Sequence, residues 1–268
     1  MSFQQHVQLL RAQLLCMSRL SQRALDYSIK GYELGSLDFC RHVRSVEHKL
    51  GEHHRQIKYL CRQVTTSRSS ASCDIRFALA ASRIDTALNK TYGTAVQMAQ
   101  NTILFLKAGS LNKCIALNRF GRLVNSLMRL CIVALFERES NYAETVIHSQ
   151  ELWRRCELIF DRPLSDVDQE TETMESYVLI TAQVLGVVAK QAHEMADAIL
   201  FWLSDCESSF TSDEEGEDIL NLLFLGNGSC REGRYEYEPD SFSRALRSDF
   251  RFRNNHLLTA LRVIPRSL

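Results

Sequence analysis

Proline is almost missing from this chain of 268 residues, occurring only at Pro163, Pro239 and Pro265. Each falls where helical spacing has already lapsed, so nothing breaks long helices elsewhere. Glycine is sparse as well, with eleven residues. Net charge is absent, because 32 Lys and Arg balance 32 Asp and Glu. That balance excludes a generally basic nucleic-acid binder, though not a local basic patch. The longest apolar run, residues 123–136, contains Asn125 and Arg129 and is too short to span a bilayer. The opening Met1-Ser2-Phe3-Gln4-Gln5-His6 is polar and Arg11 soon follows, so it does not read as a secretory signal. Glycine-rich phosphate loops, G-x-S-x-G elbows and H-E-x-x-H helices are lacking too. The nine cysteines (16, 40, 61, 73, 114, 131, 156, 206 and 230) form no C-x-x-C pair. Most sit in apolar helical contexts as small hydrophobes, and a reduced cytosolic protein is expected.

What the chain does have is a repeat. Ala95, Met98 and Ala99 return as Ala192, Met195 and Ala196, and the apolar Ile103-Leu104-Phe105-Leu106 returns as Ile199-Leu200-Phe201-Trp202. Both copies close a long helical pattern. One helical unit used twice explains this, and such repeats set the architecture.

Helical spacing runs through the first 204 residues. Val7, Leu10, Leu14, Met17 and Ala24 put one apolar face on a first helix, which Gly35-Ser36 breaks. A second helix is expected over residues 37–64. A third starts near Ser72 as N-cap, with Asp74 favourably placed at the positive end of the dipole. Its stripe of Phe77, Ala81, Ile84, Leu88, Tyr92, Ala95, Ala99, Ile103 and Leu106 reads as a bundle seam. Leu117, Phe120, Val124, Leu127, Cys131 and Leu135 mark a fourth helix. Asn141 is read as the cap of a fifth, with Val146, Trp153, Cys156 and Phe160 inward. Tyr177, Val184, Val188, Ala192, Met195, Ile199 and Trp202 mark a sixth. The predicted fold is all-α, with two tandem three-helix units (3–108 and 109–204) in an elongated bundle. An extension, 205–268, follows. It has an acidic stretch over 205–218, then a basic aromatic segment. There Arg244, Arg247, Arg251 and Arg253 are interleaved with Phe242, Leu246, Phe250, Leu257 and Leu261. The acidic part reads as a solvated linker and the basic part as a partner-docking element.

Candidate ligands crowd the second helix: His42, Glu47, His48, Glu52, His53 and His54. His48 and Glu52 are four apart and share a face, so they could reach one zinc or iron ion with help from another helix. A solvated helix face with charge pairs accounts for the same residues. Asp74 and Arg76 read as a helix start with a bundle ion pair, or else as a catalytic pair.

Ser72-Cys73-Asp74-Ile75-Arg76 resembles the A-x-D-L-R entry to the third helix in the PhoU family of phosphate-uptake regulators. Ala95-Val96-Gln97-Met98-Ala99 is similar to that family's closing A-V-N-I-A. The likeness covers residues 3–204 in organisation and about 71–106 in motif. It implies a cytoplasmic, non-enzymatic adaptor without a cofactor, able to sit at the inner face of the membrane. The implied partners are the ATPase of a phosphate ABC transporter and a membrane sensor histidine kinase; a homodimer is compatible with it, and no nucleic acid is expected. Family members carry an E-R-x-x-D metal cluster in each unit. Here Asn89, Gly93, Gly186 and Lys190 replace its carboxylates, so no metal is expected at those positions. Alternatives are a helical interaction scaffold that kept the fold but left phosphate control, and a metal-dependent enzyme using His48 and Glu52.

Overall fold

The computed structural model describes residues 3–67, 71–109, 114–151, 153–154 and 169–204. They fall within one compact unit, Met1–Thr211; Ser212–Leu268 is a second unit. The expected linker and basic segment, with Arg244, Arg247, Arg251 and Arg253, lie outside the described residues, as do Cys156 and Phe160.

The described residues are helical, with no strand among them. The elements are α1 (Phe3–Leu34), α2 (Leu37–His42), a 3-10 turn (Val43–Val46), α3 (Glu47–Thr66), α4 (Ser72–Lys107), α5 (Ile115–Glu137), α6 (Ser140–His148) and α7 (Gln169–Leu203). Long helices form because the apolar stripes are uninterrupted, and α1 and α4 end where glycine permits a left-handed residue. Gly35 has φ +67. The next amide, Ser36 N, donates to Gly31 O at 2.9 Å, while Gly35 N donates to Tyr32 O at 3.3 Å. This is the Schellman closure, which satisfies carbonyls the helix end would orphan. Gly109, with φ +71, follows the end of α4 in the same manner.

Three local readings change. The second helix is not continuous, because Val43–Val46 tightens into 3-10 geometry. That geometry eclipses residues three apart, so Val43 and Val46 both point into the core. Ser45 Oγ, donating to His42 O at 2.7 Å, supports the tight turn. The cap of α4 is Ala71 rather than Ser72: Ala71 is extended, and its carbonyl accepts from Asp74 N and Ile75 N. The cap of α6 is Glu139, which leaves Asn141 inside the helix.

The packing repeats itself. In the first half α1 packs on α3 and α4, and α3 packs on α4. In the second, α5 packs on α6 and α7, and α6 packs on α7. The halves meet through α4 against α7 and α1 against α5. Helices α1 and α4 run parallel, since Arg11 lies over the Phe77 ring and Ser21 Oγ donates to Leu88 O. Helix α7 runs antiparallel to α4, and α5 to α1, so a half-turn relates the two halves. The stripe residues of α1, α4, α5 and α7 are buried, apart from partly covered positions at the ends of α4 and α5. Trp153 and Trp202 are both 2% exposed, as core residues. No helix among the described residues is long and apolar enough to cross a membrane.

The two seams between the halves differ chemically. The α4–α7 seam is apolar and aromatic at its centre, with Arg76, Arg83 and Asp197 along its margin. The α1–α5 seam is partly polar: Asn125 Nδ2 donates to Asp26 Oδ1 at 3.2 Å, Arg129 lies 3.8 Å from the same oxygen, and Arg122 pairs with Glu33.

Candidate functional site

The α4–α7 pair is where the repeated motifs meet. At one end Phe77 stacks on Trp202, with ring centroids 4.8 Å apart. Beside them the Arg76 guanidinium closes the C-terminal end of α7. Its Nη2 donates to Phe201 O at 2.6 Å and to Ser204 Oγ at 2.9 Å, and its plane lies over the Phe201 ring. A cation there faces the negative end of the helix dipole and satisfies a carbonyl the helix leaves open. Asp74, in the first turn of α4, matches the opposite dipole end. Midway, Arg83 pairs with Asp197 across the seam; both side chains are about half exposed, so the pair adds little stability. At the far end Tyr177 OH bonds Thr102 Oγ1 at 3.0 Å and its ring lies 4.0 Å from that of Phe105.

These contacts set a register that puts Asn89 level with Lys190 and Gly93 level with Gly186. The half-turn exchanges the two levels, so the four positions surround its axis. Asn89, Gly93 and Lys190 are exposed, and Gly186 is buried. None carries a carboxylate. The nearest acids along the same helices, Asp85 and Glu194, are four residues from Asn89 and Lys190, about 6 Å along the axis. Among the described residues, no three His, Cys, Asp or Glu side chains gather as a metal-binding group. A hard divalent cation needs clustered oxygen ligands, and a lysine ammonium opposes it. The residues at these four positions therefore do not fit the metal cluster that the resemblance implies.

No family model and no curated protein sequence matches the chain. Solved structures do. The crystal structure of PhoU from Pseudomonas aeruginosa superposes with a TM-score of 0.69 at 15% identity, over 76% of this chain and 99% of that one. The phosphate transport system regulatory protein PhoU from Streptococcus pneumoniae gives 0.65 at 13% identity, over 80% and 100%. The chain has the PhoU fold. In this PhoU-like body Arg76, in the segment Ser72-Cys73-Asp74-Ile75-Arg76, holds the start of α4 against the end of α7.

The histidines of the second helix do not converge. His42 Nδ1 donates to Asp38 O at 2.6 Å within its own turn, and His53 Nδ1 to Gln13 Oε1 of α1 at 2.5 Å. His48 and Glu52 stand 3.5 Å apart with side chains 83% and 49% exposed. His54 crosses to α4, where its Nδ1 lies 2.9 Å from both carboxylate oxygens of Asp85.

Asp85 is a residue that sequence reading missed. It is 1% exposed, in the α3–α4 interface. Burial pushes its carboxyl above the usual carboxylate range, and His54 and Lys58 pull it back. Burial pushes the neighbouring Cys61 thiol up to about 12, and the Asp85 carboxylate adds to the rise. Spacing held a signal: Asp85 is seven residues from both Ala78 and Tyr92, which are buried, so it shares their face. Cysteine chemistry also departs from expectation. Cys73 is disulfide-bonded, whereas Cys16, Cys40, Cys61, Cys114 and Cys131 are free thiols.

Proposed function

We propose that this chain is a PhoU-like regulatory adaptor in phosphate uptake and phosphate-starvation signalling. The observation that carries the reading is the fold likeness over the whole length of two PhoU proteins, one of them the phosphate transport system regulatory protein of Streptococcus pneumoniae. The Asp74 and Arg76 entry to α4 supports it. The adaptor acts from the cytoplasm, by docking on the ATPase of a phosphate ABC transporter and on a membrane sensor histidine kinase. Docking shifts a partner's conformational balance only through differential affinity for its states, so no bond-making step is required. The basic segment with Arg244, Arg247, Arg251 and Arg253 supplies a second, salt-sensitive contact. Exposed charge pairs are screened beyond about 10 Å at 0.1 M ionic strength.

The test is genetic and biochemical together. Deleting the chain in its own cells should raise phosphate uptake and starvation-promoter output in phosphate-rich medium. The tagged chain should retain the ATPase or the kinase at low salt and lose it at high salt. Unchanged uptake and promoter output would favour the scaffold reading, which the replacement of four carboxylates by Asn89, Gly93, Gly186 and Lys190 also supports.

A further inference from the structure

We infer that the outward ridge of α3, centred on Arg55, Tyr59 and Arg62, is a docking surface for an acidic groove on a folded protein partner. The inference rests on the adaptor reading and names the face and the partner chemistry. Helix α3 turns Leu50, Ile57, Leu60 and Val64 into the body, where it packs on α1 and α4. The opposite side recurs at steps of three or four as Arg44, His48, Glu52, Arg55, Tyr59 and Arg62, all exposed. Over residues 41–66 six Lys or Arg stand against two Glu, in a chain whose formal charges cancel. The two acids come early: Glu47 lies 3.7 Å from Arg44, and Glu52 lies 3.5 Å from His48. Beyond Glu52 the helix carries no acid, and no carboxylate among the described residues pairs with Arg55 or Arg62. Tyr59, between them, is 59% exposed.

A solvated helix face ordinarily alternates Lys and Glu, so that charges pair along the helix. This ridge instead sets an aromatic ring between two guanidinium groups. Tyr and Arg are the side chains that anchor protein interfaces, whereas Lys and Glu are depleted there. The fold does not require such a ridge. Helix α6 is the counterpart of α3 in the second half, and its nine residues include no Lys or Arg. Its exposed residues are Asn141, Glu144, Thr145 and His148. Arg55 and Arg62 are seven residues apart, about 10 Å along the axis, so they fit carboxylates at that spacing with a slot between for one phenol ring. A lipid surface is the poorer fit. An interfacial helix sinks its apolar face among the headgroups, and the apolar face of α3 is already packed on α1 and α4.

The test uses the full chain, with the purified transporter ATPase and the cytoplasmic part of the sensor kinase as immobilised probes. Tyr59→Ala should weaken binding to one of them by about 30-fold, the effect of losing an interface anchor. Arg55→Glu with Arg62→Glu should slow association strongly at low salt and less at high salt. Glu144→Ala on α6 should leave both probes bound as before. With p-benzoylphenylalanine in place of Tyr59, ultraviolet light should link the chain to a partner peptide rich in Asp and Glu. Equal binding by the ridge variants, or a link to a neutral or basic surface, overturns the inference and leaves the adaptor reading standing. Ridge variants that keep both proteins but lose vesicles of phosphatidylglycerol and phosphatidylcholine overturn it in favour of a lipid surface. If the unsubstituted chain binds neither probe, the adaptor reading fails and the docking inference falls with it. If charge reversal lowers the melting temperature, Tyr59→Ala and the cross-link map decide.

Discussion

Replacing His54 with alanine should strand a buried carboxylate, and the damage should grow with pH. Asp85 is 1% exposed, and His54 Nδ1 is its hydrogen-bond donor from α3. Hydrogen bonds to charged groups contribute about 1.5–3 kcal/mol. His54 is itself 22% exposed and Lys58 stays nearby, so a value near the lower end applies, about 2 kcal/mol. For a domain of this size each kcal/mol moves Tm by about 2–4 °C, giving a loss of roughly 4–8 °C.

The pH dependence has a definite sign. The folded carboxyl of Asp85 sits above its ordinary value, so the folded state binds that proton more tightly than the unfolded chain does. The associated stability is fully present below the ordinary carboxylate pKa and is lost as pH rises through the folded value. Removing His54 raises the folded value further and extends the loss upward in pH. His54→Ala should therefore be less harmful at pH 5 than at pH 8, in thermal unfolding followed by circular dichroism. Adding Asp85→Asn removes the charge, and the double variant should recover stability at pH 8 and lose the pH dependence. Equal losses at pH 5 and pH 8, or no recovery in the double variant, would refute the assignment of the effect to a buried charge.

Arg76→Ala should lower stability by about 1.5–3 kcal/mol in urea unfolding, because it leaves Phe201 O with only the Ser204 Oγ donor, and Arg76→Lys should not restore the bidentate grip. Gly31→Ala would set a methyl 2.5 Å from Cys40 Sγ, so a cost of about 1–3 kcal/mol is expected. Cys40→Ala in the same chain should relieve most of it, and a double-mutant cycle of melting temperatures checks this. Protein purified without chelator should contain no stoichiometric iron, manganese or magnesium by elemental analysis; metal bound at Asn89 or Lys190 would contradict the reading of those positions.

Apolar periodicity made most of the fold legible. The stripes from Val7 to Ala24 and from Tyr177 to Trp202 are buried as spacing implied, since a packed helix face must recur every three or four residues. Backbone geometry was less visible. The 3-10 turn at Val43–Val46 depends on both valines facing inward, a tertiary demand that no local pattern declares. The site was the least legible part. Arg76 finds a backbone carbonyl on another helix, and any residue could supply that acceptor. His54 finds Asp85 across the α3–α4 interface, a pairing set by the registry of two helices rather than by spacing along either.

Because α1 runs parallel to α4 and α7 runs against both, Phe3 and Ser204 lie at the same end of the helical body. A short linker could therefore join them, and the chain could be opened within 108–114 instead. Such a circular permutant would translate α5, α6 and α7 before α1, α3 and α4, with every helix and every packing partner retained. The order of the two halves is then a property of the gene, and the packed body does not depend on it.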